Sequence, residues 1–333
     1  MKKFFLERVC LIFATWLLIL TAHAETNDPL PSWNAGPIKQ SIIQFVQTIT
    51  DKNNPDYVPP ADRIATFDND GTLWLEQPMY TEVIFAFDRI KSLAPQHPEW
   101  KSKEPYQAIL HNQYSHLTAQ AIGKILTITQ SGMSIDDFKE IEKNWLATTK
   151  NLRYHHYYTE LVYQPMLEVM NYLRQHGFKV YIVSGGGQEF IRTYSQNVYD
   201  VPPEQVIGSA DKINYVYHHH QPQLMNVPAV LFISNYQGKP EAINLFIGKK
   251  PIIAFGNSDG DRQMLEWTQS GSGKRLMLLV HHDDAVREYA YDTQSKVGTF
   301  SKSLMDEAKQ NHWQIISMKN DWKVIFPFEK NKA

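Results

Sequence analysis

Three short apolar runs that end abruptly at polar residues constrain this chain most. Ile64-Ala65-Thr66-Phe67 stops at Asp68, Lys179 to Val183 stops at Ser184, and Ile252-Ile253-Ala254-Phe255 stops at Gly256-Asn257. Runs of this length, rich in branched residues and sharply bounded, read as strands buried on both faces. Leu276 to Val280 is a fourth such run, and Val206-Ile207 is a shorter one. Between them lie helical spacings: Ile38 to Thr50, Met166 to His176 closed by Gly177, and residues 240–247. Strands alternating with helices predict an α/β fold with a parallel sheet flanked by helices. In such open sheets ligands collect beyond the carboxyl ends of the strands. Asp68, Ser184 and Asn257 are therefore expected on one rim.

One stretch breaks the alternation. From about Met79 to Lys150 strand patterns are absent. Tyr80 to Leu93, Pro105 to His111, Leu117 to Gln130 and Ile135 to Thr148 are helical in spacing, and Ser134 with Asp137 resembles a capping box. The expected organisation is an α/β core over 61–78 and 160–333, interrupted by a helical cap over 79–159. Residues 25–60 form an N-terminal leader and helix, and Pro, Asn and Asp make 25–37 read as mobile. A hairpin is expected around Ile213 to Tyr217.

Residues 1–24 have the layout of a signal peptide. Lys2, Lys3 and Arg8 precede an apolar run from Val9 to Leu20, which ends at Ala22-His23-Ala24. The run is shorter than the roughly 20 residues of a spanning helix, so cleavage after Ala24 is expected over retention as an anchor. That places the protein in the periplasm or outside the cell, with no membrane attachment after cleavage. The single cysteine, Cys10, lies in this segment, so neither an internal disulfide nor a cysteine zinc site is available. A net charge of −2 excludes general nucleic-acid binding, which needs a basic surface. Nothing in the pattern sets an oligomeric state.

Four segments carry chemistry. Asp68-Asn69-Asp70-Gly71-Thr72 sets two carboxylates two residues apart on a turn after a strand. One could attack or ligate a cation while the other moves protons. An EF-hand loop is excluded because Met79 stands where its closing Glu belongs. Ser184-Gly185-Gly186-Gly187 offers a hydroxyl and bare amides for an anion, or a plain glycine turn. It is not a dinucleotide fingerprint, since Phe190 occupies the last glycine position, and no Lys follows to make a Walker loop. Lys239, after Gly238, could neutralise a phosphate and a carboxylate together. Gly256-Asn257-Ser258-Asp259-Gly260-Asp261 bunches oxygen donors suited to a hard cation such as Mg²⁺, or caps a helix.

Taken in order, these segments resemble the haloacid dehalogenase superfamily, in its phosphoserine-phosphatase-like branch, over roughly Ile64 to Val280. The resemblance implies a Rossmann-like core with an inserted helical cap and a Mg²⁺-dependent phosphatase acting on a small phosphorylated metabolite. It implies Asp68 as nucleophile and Asp70 as general acid/base. It implies Thr72, Ser184, Gly185 and Lys239 at the substrate, and Asp68, Asp70, Asn257 and Asp261 at the metal. Asp70 disfavours the dehalogenases, which lack a carboxylate there. Asn257 departs from the family's usual Asp, so Asp259 is an alternative ligand. Phosphotransfer to an alcohol, or ligand binding without turnover, would use the same residues.

Substrate contacts are expected after the first motif and in the cap: Trp74, Glu76, Tyr80, Trp100, Tyr106 and Trp145. A carboxylate among aromatics could hold a cationic head group, and the layout is similar to that of secreted phosphorylcholine phosphatases. Such aromatics also serve simply to pack a cap. The runs His218-His219-His220 and His281-His282 read as loop surface ahead of a second metal site.

Overall fold

The computed structural model describes residues 28–332. The expected signal peptide and Cys10 lie outside the described residues.

The buried runs assemble as one seven-stranded sheet in the order β4-β3-β2-β1-β5-β6-β7. The strands are β1 (Ile64–Phe67), β2 (Lys179–Gly187), β3 (Val206–His218), β4 (Gln221–Phe232), β5 (Ile253–Gly256), β6 (Leu276–His281) and β7 (Gln314–Ser317). All neighbours pair parallel except β3 with β4. β1 sits centrally between β2 and β5, and all four of its residues are buried. Two apolar layers cover the faces. One gathers Ala65, Phe67, Val180 and Ile182 with Tyr163, Trp74 and Tyr194. The other gathers Val183, Ala254 and Leu279 with Ile243, Met264 and Leu265. Among the described residues, no helix is long and apolar enough to cross a membrane.

Residues after β1 run into helices Thr81–Leu93, Tyr106–Leu110, Ala119–Gln130 and Ile135–Thr148. Ser134 caps the last of these, accepting from the Asp137 N–H at 3.0 Å. Three findings differ from the sequence reading. First, β2 continues through the glycines to Gly187, because its pairing to β3 shifts register between Val183 and Gly187 and resumes at Ser209. Second, the hairpin is far longer than expected: β3 and β4 form an arm whose turn is His219-His220, both with positive φ. Its strand β4 binds the helical block, with Asn226 N–H on the Met133 carbonyl at 2.9 Å. Third, residues 30–33 are anchored rather than mobile. Leu30 and Trp33 are buried, the Trp33 indole donates to the Pro165 carbonyl at 3.0 Å, and Ser32 donates to Glu168 at 2.7 Å. Two apolar side chains among polar ones suffice to dock a short segment.

One buried carboxylate sits at the seam between helical block and core. Glu142 on helix Ile135–Thr148 accepts from the Thr193 hydroxyl at 2.7 Å. Burial pushes its carboxyl from 4.5 up to about 8. The folded state then holds a proton that the unfolded state has released. Stability should fall as pH rises between these values, by about 1.4 kcal/mol per pH unit from this group. Urea unfolding of wild type and Glu142→Gln from pH 5 to 8 checks this: the variant should lose that share of the slope and be the more stable form at pH 8.

Candidate active site

The candidate side chains gather at one edge of the sheet: Asp68 and Asn257 directly follow β1 and β5, Ser184 lies near the end of β2, and Lys239 is in the first turn of the helix Gly238–Phe246. Asp68 ends β1, and its N–H extends the ladder to the Phe255 carbonyl at 2.9 Å. The chain then turns sharply, with the Asn69 carbonyl accepting from Leu73 N–H at 2.8 Å. Asn69 itself points into the core and donates to the Tyr194 hydroxyl. Its neighbours Asp68 and Asp70 are thereby left on the rim. Gly71 has φ +74°, which favours glycine. A Cβ there would lie 2.1 Å from Asn257 Nδ2 and 2.3 Å from Glu76 Oε1.

Lys239, only 1% exposed, organises the charge. Its Nζ donates to Asp68 Oδ1 at 2.5 Å, to Asp261 Oδ1 at 2.6 Å and to the Val183 carbonyl at 2.8 Å. Burial pulls its pKa down, but Asp261 and Asp68 outweigh this and hold it above the ordinary value. An ammonium has three donors, and all three are engaged. Lys239 thereby fixes Asp68 and Asp261 and carries its positive charge to the strand-end rim.

Asp70 faces the second strand end. A Cβ built on Gly186 would lie 3.3 Å from Glu82, 3.4 Å from Ser184 Oγ and 3.5 Å from Asp70 Oδ2. The Trp74 indole donates to Asp70 Oδ1 at 2.8 Å, leaving Oδ2 toward the glycine loop. Burial pushes the Asp70 carboxyl up. It also pushes Asp68 up to about 7, with Asp261 adding and Lys239 opposing. Buried Ser184 accepts from Gly186 N–H at 3.0 Å, which leaves its own O–H free to donate. Gly185 is exposed beside the Asn235 amide. Glu82, which the sequence reading missed, accepts from Gly187 N–H at 2.7 Å and is pushed up to about 7 by burial.

The third strand end places three of the expected residues. Asp261 is fully buried, with Oδ1 on Lys239 and Oδ2 accepting from Asn257 and Ser258 N–H at 2.9 and 3.0 Å. Both of its oxygens are hydrogen-bonded, so Asp261 ties Lys239 to the loop after β5. Asp259 accepts through Oδ1 from the Ser301 hydroxyl at 2.7 Å and lies 3.7 Å from the Arg262 guanidinium. Thr72 is buried and donates to Asn257 Oδ1 at 3.0 Å, so it supports the loop and does not face substrate.

Among the described residues, no group of three His, Cys, Asp or Glu side chains is arranged to hold a metal. Asp68 and Asp70 follow β1 and Asn257 follows the neighbouring β5, so hard oxygen donors lie after adjacent strand ends. Such a set suits a small hard cation that keeps water or substrate oxygens in its shell.

The remaining expected contacts divide. Trp100 and Tyr106 stack on each other inside the helical block, and Trp145 stacks on Tyr158, so these aromatics pack the fold. Trp74 is buried against Tyr194. Tyr80 accepts from Gly298 N–H. Glu76 points to Asn257 and Tyr291. His282 is not surface: it is buried, with Nδ1 3.0 Å from Glu288 and Nε2 2.7 Å from the Gly71 carbonyl. Both partners are oxygens, so His282 pins the turn that carries Asp70. Its place directly after β6 was the only sequence signal for this role.

A family model described as haloacid dehalogenase-like hydrolase matches residues 65–266. No curated protein matches the chain. Among solved structures, a conserved protein of unknown function from Anaerococcus prevotii DSM 20548 is similar, with 15% identity, 86% of this chain and 94% of that chain covered, and a TM-score of 0.56. A protein of unknown function from Bordetella pertussis Tohama I has 13% identity, 77% and 98% coverage, and a TM-score of 0.49. A probable phosphoserine phosphatase from Vibrio cholerae has 14% identity, 78% and 68% coverage, and a TM-score of 0.38.

Proposed function

Because the chain belongs to the haloacid dehalogenase-like hydrolase family, we propose that it is a phosphatase that hydrolyses a small phosphomonoester through an aspartyl-phosphate on Asp68. The observation that carries this reading is the triangle of Asp68, Lys239 and Asp261, buried at the strand ends, with Asp70 turned toward Ser184 and the glycine loop. A nucleophile, a fixed positive charge and a proton carrier thus share one rim.

Asp68 attacks phosphorus, and the bond to the leaving oxygen breaks. Asp70, whose carboxyl burial holds in the protonated range more readily than usual, gives its proton to that oxygen. The Ser184 hydroxyl and the bare amides beside it hold the phosphoryl oxygens. Asp70 then takes a proton from water, which attacks the acyl phosphate, frees Asp68 and releases phosphate. Mg²⁺, held by Asp68, Asp70 and Asn257, would supply charge that offsets the repulsion between Asp68 and the phosphoryl group. The helices over residues 79–159 would exclude bulk water from the rim. Residues 1–24 would direct the protein out of the cytoplasm.

Purified protein should release phosphate from a panel of small phosphomonoesters. EDTA should abolish release, and added Mg²⁺ should restore it. Release that persists in EDTA would remove the metal from the proposal, and release from no member would remove the phosphatase.

A further inference from the structure

Asn257 brings no charge to a site where the cation would need one, and a buried carboxylate stands directly behind it. Glu76 is 2% exposed, and its Oε1 accepts from Asn257 Nδ2 at 2.7 Å and from the Tyr291 hydroxyl at 2.7 Å. The space for this contact is built. A Cβ at Gly71 would meet both Asn257 Nδ2 and Glu76, and a Cβ at Gly298 would lie 1.8 Å from Glu76 Oε1. Tyr291 stacks on His282, which pins the Gly71 carbonyl, so the residues around the contact are themselves fixed.

The charge balance points the same way. Asp68, Asp261 and Glu76 are buried, and Asp70 lies beside them. Among the described residues, Lys239 bridges Asp68 and Asp261, and no basic side chain pairs with Glu76. A buried carboxylate without a cation is costly. The Glu76–Asn257 contact leaves the amide nitrogen spent and the amide oxygen, Oδ1, directed at the Thr72 hydroxyl. An amide whose N–H binds a carboxylate carries more negative charge on its oxygen, which makes Oδ1 the stronger ligand.

We propose that Glu76 is the positioning partner of Asn257: it holds the amide nitrogen, so that Oδ1 is the atom presented toward a divalent cation. This rests on the metal reading of the site made above. Glu76 does not touch the cation; it orients the amide, as carboxylates behind metal ligands do.

The test is Mg²⁺ binding to the purified protein by calorimetry, without substrate, with thermal unfolding in EDTA as the check on folding. Glu76→Gln should weaken Mg²⁺ binding by about 10–100-fold. The double change Glu76→Gln with Asn257→Asp swaps carboxylate and amide across the same contact, and should return affinity to within a few-fold of wild type. A Glu76→Gln protein that binds Mg²⁺ as tightly as wild type overturns the inference. So does a double variant no tighter than Glu76→Gln alone. If Glu76→Gln fails to fold, the double variant decides by comparison with wild type, since it keeps one amide and one carboxylate in contact. Wild type that binds no Mg²⁺ overturns the metal reading itself, a distinct result.

Discussion

Asp68→Asn is expected to lower phosphate release by about 10³-fold or more, because it removes the proposed nucleophile. The fold should survive the change. Asn keeps an oxygen where Asp68 Oδ1 accepts from Lys239 at 2.5 Å, and it removes one charge from a buried cluster that already repels it through Asp261. Thermal unfolding should therefore match wild type or rise, while turnover vanishes. This separation is the point of the experiment, since a merely structural Asp68 would show the reverse. The measurement is phosphate release on whichever phosphomonoester wild type hydrolyses best, with unfolding followed in parallel. A variant that keeps more than a few per cent of the wild-type rate would show that another nucleophile acts.

The parallel sheet and its active rim were legible because they depend on local signals. A strand buried on both faces must be continuously apolar, so its end is visible as the first polar residue. That placed Asp68 and Asn257 directly after β1 and β5, whereas β2 runs on through Ser184 to Gly187. What escaped depends on long-range pairing. β7 has only Ile315 and Ile316 between polar residues, and it forms because β6 offers it an edge. The reach of β3 and β4 is set by their pairing to each other and to the helical block, and alternation of mixed residues near Ile213 shows only part of it. Glu82 and His282 are polar residues in positions that composition would assign to surface, and Glu76, expected at the substrate, is buried against Asn257 and Tyr291. Their burial follows from partners 105 to 215 residues away in sequence. Asp259 and Asp261 show the converse. Both look alike in a linear motif, and only the fold separates them: Asp261 bridges Lys239 to the loop amides, while Asp259 takes the Ser301 hydroxyl.

Lys239→Met should be the most destabilising single change at the site. The side chain is fully buried and of similar length, so packing changes little and the loss is electrostatic. Removing it leaves Asp68 and Asp261 facing one another without a cation, and it strips the Val183 carbonyl of its donor at 2.8 Å. Breaking a buried ion pair from one side costs about 3–5 kcal/mol, and here one lysine serves two carboxylates. The sign with pH follows from what remains. Without Lys239, Asp68, which burial and Asp261 already push up, holds its proton more tightly still in the folded state than in the unfolded one, so the variant should lose stability as pH rises from acid toward neutral, more steeply than wild type. Urea unfolding at pH 5 and pH 7.5 should show a smaller deficit at the lower pH. Adding Asp261→Asn to Lys239→Met removes one of the two stranded charges and should recover part of the loss. An equal deficit at both pH values, or no recovery in the double variant, would mean that Lys239 stabilises the fold by packing and not by holding these two charges together.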